Sequence, residues 1–517
     1  MHDYYTPGEL IERLERLRKN LEVDVSTGRF LDAGVSPDRV GRLAERFQGT
    51  FGDRRVALMR APGRVNIIGE HTDYNEGPVL PAAIDRDILA VFSPRDDGQI
   101  TICDLAEGFG SRSFRASGDI PPYEQGDWGN YAKAAVQRLV RYHQRGEQSS
   151  QAETSNQAGE QPPPRGRQSL GFNAVIHSTI PPAAGLSSSS AFVVLSGCLF
   201  AEVNDLQISR ETLATLMADA EYYVGTRGGG MDQAAVLLGR EGHALYMDFA
   251  DWKPAPVPLP SGVSLVVAHS TVPAPKSAEA RNAYNLRAAE SHMAGVLIKQ
   301  AIDLRRRQGA GKAPSDGAAS AAGSRIGSLR HEIAQAGIHD PRTVVDELLG
   351  SRRWSLSEVA AKLKLSEAEL LQQFSLHDLP HAHVEQGFKL GARARHVFEE
   401  CERVDSLCRA FAAGDLPRVG EIMNASHESC RDNYEISCRE LDELVETERA
   451  AGALGARMTG AGFGGCTIFL VPTEYLEQSI RTVVRDYYER LRGVAPEEGE
   501  ALIFPVRATD GAARVEV

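Results

Sequence analysis

The apolar positions of this chain follow two periods, one typical of strands and one typical of helices. Short runs of alternating or β-branched apolar residues predict strands; they are RVALMRA (55–61), ILAVFS (88–93), GFNAVIHST (171–179), VSLVVAHS (263–270) and CTIFLVP (466–472). Other stretches repeat apolar residues every three to four positions and predict helices, among them WGNYAKAAVQRLVRYHQ (128–144) and CRELDELVETERAAG (438–452). Strands and helices interleave, so the pattern predicts an α+β or α/β protein.

Two stretches interrupt these periods. Residues 145–169 and 305–325 contain few large aliphatic side chains and are rich in small and polar residues, so they bury too little apolar surface to order themselves. We expect both to be polar surface inserts. The segment GELIERLERLRKN (8–20) has an amphipathic helical pattern and predicts a packing helix within an N-terminal helical segment, residues 1–46.

Composition narrows the classes of function. The chain has 517 residues, 57 Lys and Arg and 70 Asp and Glu, and its net charge of −13 disfavours a nonspecific grip on nucleic acid or on an anionic membrane. No targeting pattern and no apolar run long enough to cross a bilayer is present, so we expect a cytoplasmic protein. The seven cysteines form no CxxC pair, which predicts free thiols in place of a zinc site or a disulfide framework.

A serine-rich loop is the first candidate for chemistry. The segment IPPAAGLSSSSA (180–191) follows a predicted strand and opens a predicted helix. A helix N-terminus offers unpaired N–H groups and a partial positive charge, and Gly185 lets the backbone approach an anion closely. Hydroxyl groups in the loop suit phosphate or magnesium. The segment therefore predicts a phosphate site, with a serine-rich N-cap of an ordinary helix as the alternative.

A second cluster of polar residues lies in APGRVNIIGEHTDYNEGPVLP (61–81). Arg64, Glu70, His71 and Asp73 fall within ten residues, a density that suits a small ligand with several hydroxyl groups. A solvated turn after a strand is the alternative for this segment. A role as a metal ligand is a further alternative for His71.

Two glycine-rich segments follow. In EYYVGTRGGGMDQ (221–233), three glycines precede Asp232 at a predicted helix start, which suits either a general base or a carboxylate that merely complements the helix dipole. In RMTGAGFGGCTIFLVP (457–472), the glycines match GxGxxG literally. A strand follows this loop where a dinucleotide-binding fold requires a helix, so a dinucleotide site is not predicted.

Together these motifs resemble the galactokinase family of the galactokinase, homoserine kinase, mevalonate kinase and phosphomevalonate kinase (GHMP) superfamily. APGRVNIIGEHTDYN resembles the galactokinase signature, GLSSSSA the phosphate loop and TGAGFGGC the third motif. GLSSSSA, the spacing of Glu221 and KLKLSEAELLQQF (362–374) resemble the N-acetylgalactosamine kinase branch, whereas HTDYN and Tyr284 resemble galactose enzymes.

The resemblance implies an α+β fold of two lobes, the two-lobed GHMP kinase fold, with the active site in the inter-lobe cleft. We therefore expect an N-terminal GHMP kinase domain over residues 47–227 and a C-terminal one over residues 228–517, carrying the polar inserts 145–169 and 305–325 respectively. The segment around Gly460 to Gly465 is expected to support the phosphate loop from the C-terminal lobe.

The resemblance also implies roles for individual residues. Asp232 is implied as the catalytic carboxylate beside the anomeric hydroxyl of the sugar, with Arg64 keeping it ionised. Ser188 and Glu221 are implied as magnesium ligands. Sugar-hydroxyl contacts are implied for Glu70, His71, Asp73 and Tyr284. The nucleotide is implied to lie against Gly185, Ser187, Ser188, Ser189, Trp128 and Tyr131, the last two near its adenine.

The reaction implied is phosphorylation of the C1 hydroxyl of galactose by ATP with Mg²⁺, giving galactose 1-phosphate and ADP. N-acetylgalactosamine is the alternative sugar. A non-catalytic sensor that binds galactose and ATP to regulate a partner protein is an alternative of another class, although the intact serine motif disfavours it. We expect the ligands to be sugar and ATP, without nucleic acid or membrane partners, and the protein to be a monomer.

Overall fold

The structure is a computed structural model and describes residues 4–13, 35–145, 169–225, 228–273, 278–309, 323–338 and 340–516. Most of the predicted polar insert 145–169 lies outside these residues, as does the second half of the predicted N-terminal helix. Residues 7–13, within the first half of that prediction, are helical.

The described residues form three sheets. Their strands are β1 (Ala57–Asn66), β2 (Pro78–Val79), β3 (Pro81–Arg95), β4 (Gln99–Asp104), β5 (Ser111–Arg115), β6 (Gly171–Ser178), β7 (His243–Asp248), β8 (Ala255–Pro258), β9 (Val263–His269), β10 (Gly455–Thr459), β11 (Cys466–Pro472), β12 (Ile503–Val506) and β13 (Ala513–Val515). The strand orders are β13-β1-β3-β6-β4-β5 in the first sheet, β10-β11-β9-β12 in the second and β2-β7-β8 in the third. All five strands expected from the alternating pattern form and fall in the first two sheets.

Helices pack against the sheets, and a further group of helices is formed by the sequence between β9 and β10. They are α1 (residues 7–13), α2 (Pro37–Phe51), α3 (Gly129–Arg145), α4 (Ser188–Val203), α5 (Arg210–Ala220), α6 (Met231–Leu238), α7 (Ala278–Gly309), α8 (Ile326–Gln335), α9 (Pro341–Leu348), α10 (Leu356–Leu363), α11 (Glu367–Gln373), α12 (His381–Glu385), α13 (Leu390–Ala413), α14 (Leu416–Ser429), α15 (Arg439–Ala450), α16 (Leu476–Val483) and α17 (Pro496–Leu502). Both helices expected from periodicity, α3 and α15, are confirmed.

Helix α4 carries the serine loop at its N-terminus and packs on the first sheet. Its sequence, SSSAFVVLSGCLFAEV, is apolar on all sides, and residues 190–197 are all buried. A helix that is apolar all round must be enclosed by other elements. Helices α3, α5 and α6 and strand β1 surround it. The serine loop is therefore mounted on a helix that the core holds in place.

Strand β1 leads the segment 61–81 into the same region; this segment is called the sugar motif, after the galactokinase signature that it resembles. Its pairing with β3 shifts register between Pro62 and Arg64, so Gly63 forms a bulge. Bulges redirect a side chain near functional sites. A side chain at Gly63 would meet the Leu186 carbonyl oxygen at 3.0 Å. The glycine thus allows β1 to lie directly against the serine loop.

The chain after residue 228 contributes strands to all three sheets. Strand β7 pairs with β2, and β13 pairs with β1 with Leu58 opposite Val515. Helix α6 also packs on β1 and β3. The last strand thereby covers an edge of the first sheet that would otherwise be unpaired. The division of the chain into two domains at residue 228 remains a prediction. The sequence after residue 228 does not form one separate sheet, because its last strand belongs to the first sheet.

The predicted insert 305–325 starts too early. Helix α7 continues to Gly309, so its first five residues are helical. Arg305 pairs with Glu347 and Arg306 pairs with Glu332, and these ion pairs on neighbouring helices extend the helix into the polar stretch. Residues 310–322 lie outside the described residues.

Two expectations from composition can be compared with the structure. All seven cysteines are free thiols, as predicted. Within the described ranges, no helix combines the length and the apolar composition needed to span a membrane.

Candidate active site

Arg64 and Asp232 form the centre of the candidate site. The Arg64 guanidinium donates from Nε to Oδ1 of Asp232 at 2.7 Å and from Nη1 to the Gly185 carbonyl oxygen at 2.7 Å. Arg64 is nearly buried, whereas the Asp232 side chain is 26% exposed. Asp232 lies in the first turn of α6, after Gly230 with a φ of 99°. The structure therefore brings together the sugar motif, the serine loop and the GGGMD segment at one carboxylate.

The serines of the loop form hydrogen bonds with two different carboxylates. Ser187 does not cap α4 with its side chain; it adopts a φ of 57° and its hydroxyl donates to Oδ2 of Asp232. Ser190 donates to Oε1 of Glu221 at 2.7 Å and lies 3.5 Å from Oδ2 of Asp232. Residues three apart share a helix face. The capping alternative for the serines is therefore wrong for Ser187.

The glycine-rich segment from Gly460 to Gly465 contacts the serine loop, as expected. Gly460, just after β10, has a φ of 87°, and a side chain there would meet the Gly185 carbonyl oxygen at 2.7 Å. Gly185 has a φ of 76° and faces the Thr459 carbonyl oxygen. The loop between β10 and β11 joins two antiparallel strands, which confirms that this GxGxxG sequence is not a dinucleotide-binding turn.

Asp73 and Glu221 add two more carboxyl groups to the site. Asp73 starts a short 3₁₀ turn, and its Oδ2 accepts a hydrogen bond from the Gly229 N–H at 3.1 Å. Burial, with the Asp232 charge as a smaller contribution, raises the pKa of Asp73 to about 6. Burial and the Asp232 charge also raise the pKa of Glu221 to about 7, against the opposing hydrogen bond from Ser190. The site is thus an anionic cluster with Arg64 as the cation in contact with it.

His71 lies in a chain of hydrogen bonds. Its Nε2 lies 3.1 Å from the Ala461 carbonyl oxygen, which only accepts, so the neutral ring carries its proton on Nε2. Nδ1 then accepts from the Tyr74 hydroxyl at 2.7 Å, and Tyr74 accepts from Tyr434 at 2.9 Å. Burial lowers the pKa of His71 to about 3. Both ring nitrogens therefore have protein partners, and its role as a sugar contact remains a prediction.

The remaining predicted contact residues lie around this cluster. Tyr284 on α7 places its ring 5.1 Å from that of His71. Tyr131 shares a side-chain hydrogen bond with Ser189. Trp128, just before α3, packs its ring 5.6 Å from Phe192 of α4 and donates from Nε1 to the Phe109 carbonyl oxygen at 3.0 Å. The predicted adenine side thus lies beside the serine loop, and the predicted sugar side lies beside Asp73.

Glu70 has protein partners that the sequence did not predict. It is 1% exposed, and its Oε1 accepts from Arg457 Nη1 at 3.1 Å and from the Gly460 N–H at 2.9 Å. Burial raises the pKa of Glu70, and the Arg457 charge opposes that shift. Glu70 therefore joins the sugar motif to β10 of the other sheet, and its predicted sugar contact remains a prediction.

Three family models match the chain. Residues 45–94 match the galactokinase galactose-binding signature, residues 130–240 the N-terminal domain of GHMP kinases and residues 407–490 the GHMP kinase C-terminal region. A galactokinase of Dictyostelium discoideum is 31% identical over 96% of this chain and 95% of its own length. A galactokinase of Roseiflexus sp. (strain RS-1) is 32% identical over 92% of this chain and 97% of its own length.

The chain belongs to the galactokinase family. It is an ATP-dependent sugar kinase, and the expected two-lobed GHMP kinase fold is confirmed. A solved structure of Lactococcus lactis galactokinase complexed with galactose superposes with a TM-score of 0.66 at 27% identity, covering 91% of this chain and 98% of that one.

The sequence did not reveal three residues that fix the backbone of the sugar motif in this galactokinase-family chain. They are Glu400, Arg403 and His396. Glu400 on α13 is buried, and its Oε1 accepts from the Gly69 N–H at 3.0 Å and from Ser426 at 2.6 Å. Arg403 donates to its Oε2 at 2.7 Å, and the charges of Arg403 and His396 help to lower the pKa of Glu400 to about 2 against burial. His396 lies 3.1 Å from the Glu70 carbonyl oxygen. Only the charged residues within an otherwise helical, buried segment signal this role.

Proposed function

We propose that this chain is a galactokinase that transfers the γ-phosphoryl group of ATP to the C1 hydroxyl of galactose, giving galactose 1-phosphate and ADP. The observation that supports this most is the position of Asp232, whose carboxylate is held by the Arg64 guanidinium and the Ser187 hydroxyl where three motifs meet. Family membership and the galactose-binding signature over residues 45–94 support the same activity.

Asp232 is the group that we assign to the reacting hydroxyl. Arg64 stabilises its negative charge on one side, and the exposed quarter of the side chain is open to a ligand. The proton of the C1 hydroxyl passes to this carboxylate as the bond between C1 oxygen and γ-phosphorus forms and the bond from γ-phosphorus to ADP breaks. Because phosphoryl transfer has a loose transition state, positioning and charge neutralisation contribute more than early proton removal.

The start of α4 is assigned to the phosphates of ATP. The first N–H groups of a helix have no partner within it. Helix α4 starts at Ser188, directly after Ser187, whose hydroxyl donates to Asp232. Gly185, whose carbonyl is bound by Arg64, keeps the loop in place without a side chain. Trp128 and Tyr131 are assigned to the adenine side. This arrangement would direct the γ-phosphoryl group toward Asp232.

The donor set also fits Mg²⁺. Within the described part of the chain no group of three or more His, Cys, Asp or Glu side chains is arranged to hold a metal ion. Mg²⁺ commonly binds one or two protein oxygens together with nucleotide phosphates. Glu221 with a serine hydroxyl supplies such oxygens, and the anionic cluster favours a cation. The resemblance assigns Ser188, whereas contact with Glu221 favours Ser190. Bound there, Mg²⁺ would neutralise charge on the transferring phosphoryl group.

The sugar is assigned to the side of the cluster formed by Asp73 and Tyr284, together with Glu70 and His71 of the same motif. Asp73 combines a fixed position, through Gly229, with a carboxyl group that can accept hydrogen bonds from sugar hydroxyls. His71, neutral because of its low pKa, would not attract the phosphates away from the serine loop.

The experiment is an initial-rate measurement of ADP release with MgATP and a panel of galactose, N-acetylgalactosamine and glucose. We expect ADP release that depends on galactose. Faster turnover of N-acetylgalactosamine would support the alternative kinase. Binding of galactose and ATP without ADP release would support the non-catalytic sensor.

A further inference from the structure

A polar cavity of about 130 Å³ lies where α7 meets the segment before α13. Its lining includes Arg287 and Glu290 from α7, Arg353, His383, Arg393 and Glu435. None of these residues is among the proposed sugar, nucleotide or magnesium contacts. The volume is sufficient for a small ligand or several water molecules.

The charges around the cavity do not balance. Glu290 accepts from Arg393 Nε at 2.7 Å, and Glu435 accepts from Arg393 Nη2 at 2.7 Å and from Lys389. Arg287 lies 3.5 Å from each of these two carboxylates. Arg353 donates to the carbonyl oxygens of residues 386 and 387. Arg287, Arg393 and Lys389, the last just outside the lining, therefore share two carboxylates. Arg353 adds a fourth cation with carbonyl partners only, so these six side chains carry an excess of two positive charges.

Two further observations indicate that the cavity suits an anion. Burial, together with the nearby Arg393 charge, lowers the pKa of Arg287, so a negative ligand would relieve an unfavourable environment. His383 Nδ1 is buried and has no hydrogen-bond partner among the described residues, so it is available to a ligand. Guanidinium groups match the geometry of phosphate oxygens, which accept paired hydrogen bonds.

The cavity is also connected to the candidate active site. Arg287 donates from Nε to the Tyr434 carbonyl oxygen at 2.9 Å. The hydroxyl of Tyr434 contacts Tyr74, which contacts His71. A ligand at Arg287 would therefore lie two side chains away from the sugar motif.

We propose that this cavity binds a phosphate group, supplied either by inorganic phosphate or by a phosphorylated sugar. A phosphate monoester carries about −1.5 to −2 charges near neutral pH, which matches the excess of two positive charges. Arg353 is the residue to test because it is exposed and contacts backbone carbonyls, with no carboxylate partner among the described residues.

The test is thermal unfolding of the full chain during titration with sodium phosphate, against sodium chloride at matched ionic strength. The variants are Arg353→Gln, Arg353→Lys and the control Arg352→Gln. Arg352 is the adjacent arginine, and it pairs with Glu358 outside the cavity. Comparing Arg353→Gln with Arg352→Gln cancels any phosphate that binds at the serine loop.

We expect Arg353→Gln to raise the half-maximal phosphate concentration about tenfold, with little change in Arg352→Gln. We expect a smaller rise in Arg353→Lys, which keeps the charge but loses the paired hydrogen bonds. A wild-type protein without phosphate-specific stabilisation, or an Arg353→Gln variant that responds as the wild type does, would overturn the proposal. Repeating the titration with galactose 1-phosphate identifies the source through the difference between Arg353→Gln and Arg352→Gln, which cancels product binding at the active site. A difference that appears at a lower concentration than with phosphate indicates a phosphorylated sugar, and one at an equal concentration indicates the free ion. Sugar kinase rates in phosphate-free buffer report on the proposed function separately.

Discussion

Ser190 and Glu221 are joined by a 2.7 Å hydrogen bond between the first turn of α4 and the 3₁₀ turn that follows α5. Ser187, three residues earlier, reaches Asp232 from the same helix face. Ser189 instead contacts Tyr131, on the predicted adenine side. These three serines therefore serve two sides of one loop, and Ser187 and Ser190 form the side that faces the carboxylates.

The division of the serines predicts which hydroxyl supports magnesium. We expect Ser190→Ala to raise the Mg²⁺ concentration for half-maximal rate by about tenfold, the effect of losing one oxygen ligand or its positioning partner. Ser188→Ala is the matched variant, and we expect a smaller change because the hydrogen bond to Glu221 comes from Ser190. The measurement is the initial rate as a function of Mg²⁺ at fixed ATP. A larger effect of Ser188→Ala would favour the assignment from resemblance.

Glu221 predicts a dependence of stability on pH. Between its ordinary pKa and about 7, the unfolded chain ionises Glu221 while the folded protein keeps the proton, so folding loses stability as pH rises through this interval. Glu221→Gln removes that loss. We therefore expect the ligand-free variant to be more stable than the wild type by roughly 1–3 kcal/mol at pH 8 and by little at pH 4.5.

Urea unfolding at both pH values measures this difference. Glu107→Gln, a substitution of an exposed glutamate, is the control. Equal stability of Glu221→Gln and the wild type at pH 8 would contradict the anionic cluster that we describe.

Glu400 predicts a positioning effect on the sugar. Glu400→Gln keeps the acceptor for the Gly69 N–H but leaves Arg403 with only Glu399, its more exposed carboxylate partner, so the backbone of the sugar motif is held less firmly. We expect the KM for the sugar to rise about three- to tenfold with a smaller effect on kcat, in line with lost positioning. The control is Glu399→Gln, which affects the neighbouring, more exposed partner of Arg403. If the two variants have the same KM, the charge of Glu400 has no role in positioning the sugar motif.

The close packing of Gly229 against Asp73 predicts a steric effect of a side chain at this position. A Cβ at Gly229 would lie 2.4 Å from the Tyr74 nitrogen and 2.5 Å from the Asp73 carbonyl carbon, both backbone atoms. We expect Gly229→Ala to push the GGGMD segment away from Asp73 and to lower kcat/KM by about tenfold or more. Gly228→Ala is the matched control, because a Cβ there has nothing within 4 Å. Similar kinetics for the two variants would argue against this packing.

Much of the fold could be predicted from the sequence because local patterns determine it. The alternating runs gave the central strands, and the GLSSSSA segment opens a helix at Ser188 as predicted. Register and strand exchange could not be predicted in this way. The pairing of β13 with β1 joins residues more than 450 positions apart, and no local pattern marks it.

The candidate site shows the same division. The motifs located Arg64, Asp232 and the serine loop, and the structure brings them together. Buried polar groups must find partners inside the protein, and those partners came from distant helices and strands. Arg457 for Glu70, Ala461 for His71 and Glu400 for Gly69 are all more than 300 residues away in the chain, so the sequence around each motif does not reveal them.

The central claim is that the Asp232 carboxylate, held by Arg64, serves the C1 hydroxyl of galactose during transfer from ATP. Single-turnover formation of galactose 1-phosphate by the wild type and by Asp232→Asn, with ADP affinity measured in parallel, tests it most directly. We predict a rate at least about a hundredfold lower for the variant, a typical contribution of a general base, with ADP affinity nearly unchanged. An Asp232→Asn variant that forms the product at the wild-type rate would contradict the account.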